Sequence, residues 1–445
     1  MTRKVFKMIL KFSHNDFYLF YIDSYTYISK LFESQFKHNK NFYFTVMWFL
    51  FDVRTPFLMD GEAKKLHYKL NNANITISSK LIKEFYEDYF SQKGKKNTSA
   101  VSQNKIGIDC VKKKFLEIQN STSYMNHFEF FPTLDDISLN NILSRRAKEL
   151  FLSLIDSDLY LSSFKGSNES EETRLFQTNG HTYVIPPKSR YVNGNVFDLM
   201  SHFNDEKFDL VLLDPPWINK HVRRRKKLKG KIDSYSMMSV EEVLKIPLAS
   251  VLTDDSLVLF WVTNSTSIME DLLRMLKTWD LELVTTWYWL KVTKAGNPVI
   301  GLDTSPNGKL PYEKLLLTQR RNSKRNISSD LKELLFCSTP CSIHSHKPPL
   351  KELLFHTLNV DDTWRCLELF ARSLNSNWTS FGNEVLKFQD ISILEYLYRF
   401  EQIKNLFAIF LIYSIYKSTI WNESFALIYS VRTRSIFNKN INTFN

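Results

Sequence analysis

The spacing of apolar residues along this chain changes character near residue 180. Before that point the spacing is helical in two blocks, one from Ser79 to Phe90 and one, "NILSRRAKELFLSLI", at 141–155, within a stretch rich in aromatics and poor in glycine. After it, short apolar runs of strand length alternate with helical stretches. "FDLVLLD" at 208–214 is a continuous apolar run ending in an acid, the form of a strand buried on both faces. Ser239 with Glu242 spells a capping box before "VEEVLKI", and Pro247 stops that helix. "SLVLFWV" at 256–262 is a second buried strand, and Ile268, Leu272, Met275, Leu276 and Trp279 then form one helical face. "LELVTTWYWLKV" at 281–292, "YEKLLLT" at 312–318 and "CLELFA" at 366–371 read as further strands, with a helix from about 349 to 358 before the last.

Polar stretches mark the joints. "SQKGKKNTSAVSQNK" at 91–105 and "KGSNESEET" at 165–173 read as linkers or exposed loops. The expected division is an accessory, mostly helical region over 1–180, a catalytic domain over 181–390 and a C-terminal extension over 391–445 with no functional pattern. The alternation over 180–390 predicts a doubly wound α/β domain, in which ligands bind beyond the carboxyl ends of the strands. Asp214 sits at one of those ends.

Composition narrows the class. With 43% hydrophobic and 24% charged residues over 445 positions, the chain is globular rather than disordered. Its four cysteines make no disulfide scaffold, so a reducing compartment is expected. The longest apolar runs fall well short of the roughly 20 residues a membrane helix needs, and Lys11 interrupts the N-terminal run, so neither a membrane span nor a secretory signal is expected. Lys and Arg number 59 against 47 acids, a net charge of +12. The segment from Lys220 to Lys231 holds eight of those cations and no acid, and without it the excess falls to +4. Such local basicity suits a nucleic-acid contact, a nuclear localisation signal or a solvated loop.

The chemistry centres on Asp214, Pro215, Pro216 and Trp217. Pro-Pro after an acid is an ordinary way to end a strand. Here, though, the acid follows a buried strand, an aromatic comes next and a basic block follows. Methyl transfer to the exocyclic amine of adenine needs this kind of arrangement. That nitrogen is a poor nucleophile because its lone pair is delocalised into the ring. Two acceptors, one per N–H, make it pyramidal and aim the lone pair at the methyl group. A carboxylate supplies one acceptor and a proline-held backbone carbonyl the other. Trp217 is placed to stack on the base.

"DPPW" resembles the signature of the adenine-N6 methyltransferases that include the catalytic subunit of the messenger-RNA adenosine methyltransferase. "YVIPPKS", "FWVTN", "WYWLKV", "PYEKLLL", "SIHSHKPPL" and "LELFARSLNSNWTSFGNEVLKFQ" resemble, in the same order, the methyltransferase-like protein 4 branch of that family. The resemblance covers about 181–390. It implies a circularly permuted Rossmann-like domain that binds S-adenosyl-L-methionine, with the catalytic strand ahead of the cofactor strand. It also implies that Asp214, Pro215, Pro216 and Trp217 are catalytic, with Asp214 also near the cofactor. Asn195 and Val196 would hold the cofactor adenine, and Lys347 and Arg372 would lie near its methionine carboxylate and ribose. Asn375 would reach the ribose, and Asn383 and Glu384 the adenine and ribose. Asn195 stands where the family has an acid, Phe381 where it has a tryptophan, and the loop after Trp217 is longer and more basic.

Lys220, Arg223, Arg224, Tyr235 and Trp289 are the expected substrate contacts, with Arg320, Arg321, Lys324 and Arg325 as a second basic patch along the phosphate backbone. Cys337, Cys341, His344 and His346 give C-x3-C-x2-H-x-H. An ordered loop ahead of Lys347 is favoured there over zinc, so no metal is expected. The implied activity is adenine-N6 methylation of RNA, with a small nuclear RNA adenosine carrying a 2′-O-methyl group as one target and DNA adenine as a second. The alternative is a non-catalytic nucleic-acid-binding subunit. A nuclear location, with the cytoplasm second, and activity without an obligate protein partner complete the expectation.

Overall fold

A computed structural model describes residues 9–14, 17–22, 103–121, the isolated positions Tyr124, His127 and Phe128, and most of 163–390, chiefly without 219–236, 303–309 and 342–344. The helical blocks expected at 79–90 and 141–155, the basic run, Tyr235, His344 and the 391–445 extension lie outside the described residues.

The strands are β1 (Ile9–His14), β2 (Phe17–Ile22), β3 (Phe164–Asn168), β4 (Arg174–Thr178), β5 (His181–Ile185), β6 (Ser189–Asn193), β7 (Phe208–Leu213), β8 (Leu252–Val262), β9 (Leu281–Lys291), β10 (Tyr312–Arg320), β11 (Leu335–Ser338), β12 (Cys366–Leu369) and β13 (Trp378–Gly382). Eleven of them form one sheet in the order β1-β2-β11-β9-β10-β8-β7-β12-β13-β6-β3, while β4 and β5 form a separate hairpin. Strands β6, β13, β12, β7 and β8 run parallel. Strand β10 lies antiparallel between β8 and β9.

The order reveals the permutation. Counted from β12, the run β6-β13-β12-β7-β8 reads 3-2-1-4-5, the doubly wound order, although β12 and β13 come last in the chain. The switch point, where ligands bind in such sheets, lies between β12 and β7. The fold is therefore the permuted Rossmann-like domain expected, with β10 interrupting the parallel strands inside the sheet and β1 and β3 antiparallel at its two edges.

Alternation along the strands builds two cores. Phe208, Val211 and Leu213 of β7 with Val258, Phe260 and Val262 of β8 face one side. Leu210, Leu212, Leu257, Leu259 and Trp261 face the other. On the first side pack α3 (Val240–Val243) and α4 (Thr266–Met275), and on the second α5 (Lys351–Leu358). The expected capping box is present: Glu242 N–H donates to Ser239 Oγ at 3.3 Å and Ser239 N–H donates to the Glu242 carboxylate at 2.7 Å. The short α2 (Leu199–Phe203) follows the Asn195 loop.

Two segments differ from expectation. The start of the stretch read as a linker at 165–173 is β3, an edge strand paired antiparallel to β6. Its sequence, "FKGSN", faces solvent at alternate positions, so it lacks the apolar signature of a central strand. Helix α1 (Gln103–Gln119) begins inside the other expected linker. Its Val111, Phe115 and Ile118 pack with Tyr288, Leu290, Tyr312 and Leu335, which joins the N-terminal region to the sheet. The i, i+4, i+7 spacing was the available signal.

Candidate active site

Four strand ends meet at one edge of the sheet. Strand β7 delivers Asp214 at its carboxyl end, and Asp214 N–H bonds across to the Leu369 carbonyl on β12 at 3.5 Å. The chain leaves β12 through Phe370, whose φ of 61° is left-handed and unusual for a bulky residue. That turn sends Arg372 back to Asp214, with 3.4 Å between guanidinium and carboxylate, and the same guanidinium nitrogen donates to the Ser345 carbonyl. Lys347, ahead of α5, lies 3.3 Å from the other Asp214 oxygen and 2.9 Å from Glu313. Because β10 is antiparallel, its first residues lie at this edge, which brings Glu313 in. Lys291, the last residue of β9, is 2.5 Å from Glu313. Asp214, Lys347 and Arg372 are each about one-sixth exposed.

The charges are mutually dependent. Burial pushes the Glu313 carboxyl up, but Lys291 and Lys347 more than offset this and hold it well below the usual carboxylate range. Burial likewise presses Lys347 down, and Asp214 and Glu313 raise it above its ordinary value. Glu368 on β12 goes the other way: burial and the nearby Asp214 push it up to about 8, against Arg372 and the amide of Asn375, which donates to it at 3.1 Å. His346 is driven down to about 3 by burial, Arg372 and Lys347, so it is neutral, and it stacks on Phe388 with centroids 4.0 Å apart.

Burial and Asp214 favour the protonated form of Glu368, while Lys347 and Arg372 bring two cations to this edge of the sheet. They are the groups suited to the carboxylate at the methionine end of S-adenosylmethionine. On the nucleoside side, β13 and β6 lie adjacent with Gly382 opposite Asn193, so Asn383 and Glu384 emerge beside Asn195. Asn383 and Asn195 are exposed, while Val196 is buried in the core. Asn195 caps the turn at 196–198, its side chain accepting from Phe197 N–H at 3.1 Å. Gly382 is required there: a Cβ would lie 2.8 Å from Ala371 O and 2.9 Å from Ala371 N.

The Asp-Pro-Pro-Trp segment is rigid. Pro216 O accepts from Met238 N–H at 2.8 Å and Ile218 N–H donates to Met238 O at 3.0 Å, a short parallel bridge. Pro215 O accepts from Trp217 N–H at 2.8 Å, so each proline carbonyl carries one hydrogen bond and keeps a second lone pair. Pro215 O, the carbonyl next to Asp214 in the chain, is the one paired with it in the reading below.

Two expected aromatic contacts are corrected. Trp217 is only 6% exposed and its indole N–H donates to the Trp261 carbonyl at 2.7 Å, so it anchors the Pro-Pro turn instead of offering a face to a base. Trp289 is 2% exposed, bonded to Ser338 Oγ and edge-on to Trp261, a core residue. The smaller basic patch is corrected too. Arg320 ends β10, eight positions from the site end, roughly 25 Å away at strand rise. Arg320 and Arg321 there pair with Asp280, and Arg325 lies over Trp364. Lys220, Arg223, Arg224 and Tyr235 fall outside the described residues.

Sequence reasoning missed Lys291, Glu313 and Glu368 as members of the charged cluster. Their signal was available only as charged residues interrupting strand patterns, "WLKV", "YEKLLL" and "CLEL".

Residues 208–384 match the MT-A70 family. The human protein named N(6)-adenine-specific methyltransferase METTL4 is 36% identical over 253 residues, 54% of this chain and 50% of its own length. The Caenorhabditis elegans protein named DNA N6-methyl methyltransferase is 30% identical over 352 residues, 73% of this chain and 92% of its own. The Cryphonectria parasitica protein named N6-methyladenosine RNA methyltransferase MTA1 is 36% identical over 211 residues, 46% of this chain and 60% of its own. The matching stretch thus spans about half of the human relative and nearly all of the nematode one. With its permuted sheet, intact Asp-Pro-Pro-Trp turn and cation-rich switch point, the chain belongs to the MT-A70 family of S-adenosylmethionine-dependent adenine-N6 methyltransferases.

Proposed function

We propose that this protein methylates N6 of adenine in RNA, with a small nuclear RNA adenosine carrying a 2′-O-methyl group as one target. The observation that carries the catalytic part is the position of Asp214. Its carboxylate stands at the switch point between Lys347 and Arg372, beside a proline carbonyl with a lone pair to spare. S-adenosylmethionine supplies the methyl group. Asp214 and Pro215 O accept one N–H each from the adenine amine, which turns its lone pair out of conjugation with the ring. Holding the amine in line with the donor is an orientation effect that can contribute about 7–11 kcal/mol. The methylated amine is briefly cationic and acidic enough to lose its proton to water, so the residues supply no dedicated base.

The target base must be unpaired or flipped to reach a carboxylate this recessed. The basic run from Lys220 follows the catalytic turn directly in sequence, and we assign it to the phosphate backbone of the strand that presents the base. The name of the fungal relative supports RNA, and that of the nematode relative favours adenine in DNA as the second reading. An intact Asp-Pro-Pro-Trp turn argues against a purely non-catalytic subunit. We further propose that the protein acts in the nucleus, with the cytoplasm second, and without an obligate protein partner.

The test is methyl transfer from labelled S-adenosylmethionine to four oligomers of one sequence: RNA, RNA with one 2′-O-methyladenosine, single-stranded DNA and duplex DNA. Nucleosides are then separated to locate the label. Most label in N6-methylated adenosine of the two RNA oligomers supports the proposal, and the ratio between them decides whether the 2′-O-methyl group is recognised. Preferential labelling of either DNA replaces it with the second reading, and labelled cytosine would overturn both.

A further inference from the structure

Asp214 is not a free carboxylate, and what holds it is itself held. Lys347, 3.3 Å from Asp214, is 2.9 Å from one oxygen of Glu313, and the other Glu313 oxygen is 2.5 Å from Lys291. The Lys291 ammonium lies 4.7 Å above the Trp289 ring. That ring cannot turn, since its N–H is bonded to Ser338 Oγ at 2.8 Å and its side chain is buried. The contacts therefore run from a fixed tryptophan on β9 to the carboxylate on β7, across the two strands between them.

We propose that Lys291 and Glu313 are positioning residues of the methyl-transfer site, a brace anchored on Trp289 that fixes Lys347 and, through it, the Asp214 carboxylate. A lysine paired with one carboxylate keeps the freedom of its four-carbon stem, whereas an ammonium shared by two has its direction set by both. Glu313 in turn cannot rotate towards Lys347 without giving up Lys291. The requirement for such a brace follows from the chemistry: the acceptor must meet an N–H that points at a defined angle, and an ångström of drift is costly. Lys347 also lies 5.5 Å from the Trp261 ring centroid, and the Trp261 carbonyl receives the Trp217 indole N–H. Both sides of the catalytic turn thus rest on the same core. The catalytic consequence depends on the methyl-transfer reading of Asp214; the geometry does not.

The test uses the full-length protein with Lys291→Met, Lys291→Arg and Glu313→Gln, and the double variant Lys291→Met with Glu313→Gln. Methionine keeps the stem over Trp289 and removes the charge. Crystal structures of the Met and Gln variants are expected to show Lys347 Nζ withdrawn beyond about 4 Å, the ion-pair limit, from Asp214. A retained wild-type distance overturns the brace whatever the activity. On whichever RNA or DNA oligomer the wild type methylates, kcat of each charge-removing variant should fall about 10²-fold, with the oligomer KM unchanged. Lys291→Arg should recover most of the rate, and the double variant should be no slower than either single one. Additive losses, or loss confined to KM, overturn the proposal. A wild type inactive on every oligomer would instead overturn the proposed function and leave the Lys347 distance to decide the brace.

Discussion

Lys347 is the position where the electrostatic account can be tested without any catalytic assay. Replacing it by methionine keeps most of the volume and removes the ammonium shared by Asp214 and Glu313. Their oxygens lie 3.3 and 2.9 Å from that nitrogen, so the two carboxylates are within about 6 Å of each other. At that separation, like unit charges repel by ~3 kcal/mol at an effective dielectric of about 20. Arg372 and Lys291 each still hold one carboxylate, so the loss should sit near the lower end of the 3–5 kcal/mol seen when a buried pair loses a partner. For a domain of roughly 200 residues, ~3 kcal/mol lowers the first unfolding midpoint by about 6–12 °C.

The sign with pH follows from Glu313. Lys291 and Lys347 hold its folded value below the ordinary 4.5, so its contribution is present above that value and fades as pH falls through the folded one. The gap between wild type and Lys347→Met should therefore be full above about pH 4.5, begin to narrow below it and close only as pH falls through the folded value of Glu313, far under the ordinary one. Calorimetry in steps from pH 7 down to about pH 2 measures both midpoints. Equal stability at pH 7, or a gap that stays constant below about pH 4.5, would refute the reasoning.

Three other perturbations follow from the same structure. Gly382→Ala places a methyl group against Ala371 backbone atoms that cannot swing away, and should cost about 1–3 kcal/mol in urea unfolding and weaken cofactor binding by calorimetry. Trp217→Phe leaves the buried Trp261 carbonyl without its donor, and should cost about 1–3 kcal/mol; unchanged stability would mean that the indole bond does not anchor the turn. Glu368 has a folded value near 8 against an ordinary 4.5, so the wild type should lose stability as pH rises between them, and Glu368→Gln, which cannot ionise, should not. The variant is expected to gain on the wild type from pH 5 to pH 8 in thermal scans, and a constant gap would contradict that.

What could be read from the residue order was what local spacing encodes. Strands β7 and β8 are apolar on both faces because both faces are covered, and that showed as unbroken runs up to Leu213 and Val262. The Ser239 capping box is a four-residue pattern and was equally plain. Strand direction is not a local property. That β10 runs antiparallel decides that Glu313 belongs to the site and Arg320 to the opposite edge, and nothing in "YEKLLLTQR" says so. Edge strand β3 escaped because alternate exposure at a sheet edge looks like a polar loop. The aromatic residues misled for a related reason: Trp217 and Trp289 have the chemistry to stack on a base, and only their partners show that the core has claimed them.

The central claim is that Asp214 accepts a hydrogen bond from the amine that is methylated. Its most direct test is single-turnover methylation of the preferred adenine oligomer by Asp214→Asn, with S-adenosylmethionine affinity measured alongside by calorimetry. Asparagine retains the shape but loses the charge that stabilises a developing ammonium, so the rate should fall at least about 10²-fold. Cofactor affinity should change far less, because Lys347 and Arg372 remain. An asparagine variant that methylates at the wild-type rate would contradict the account.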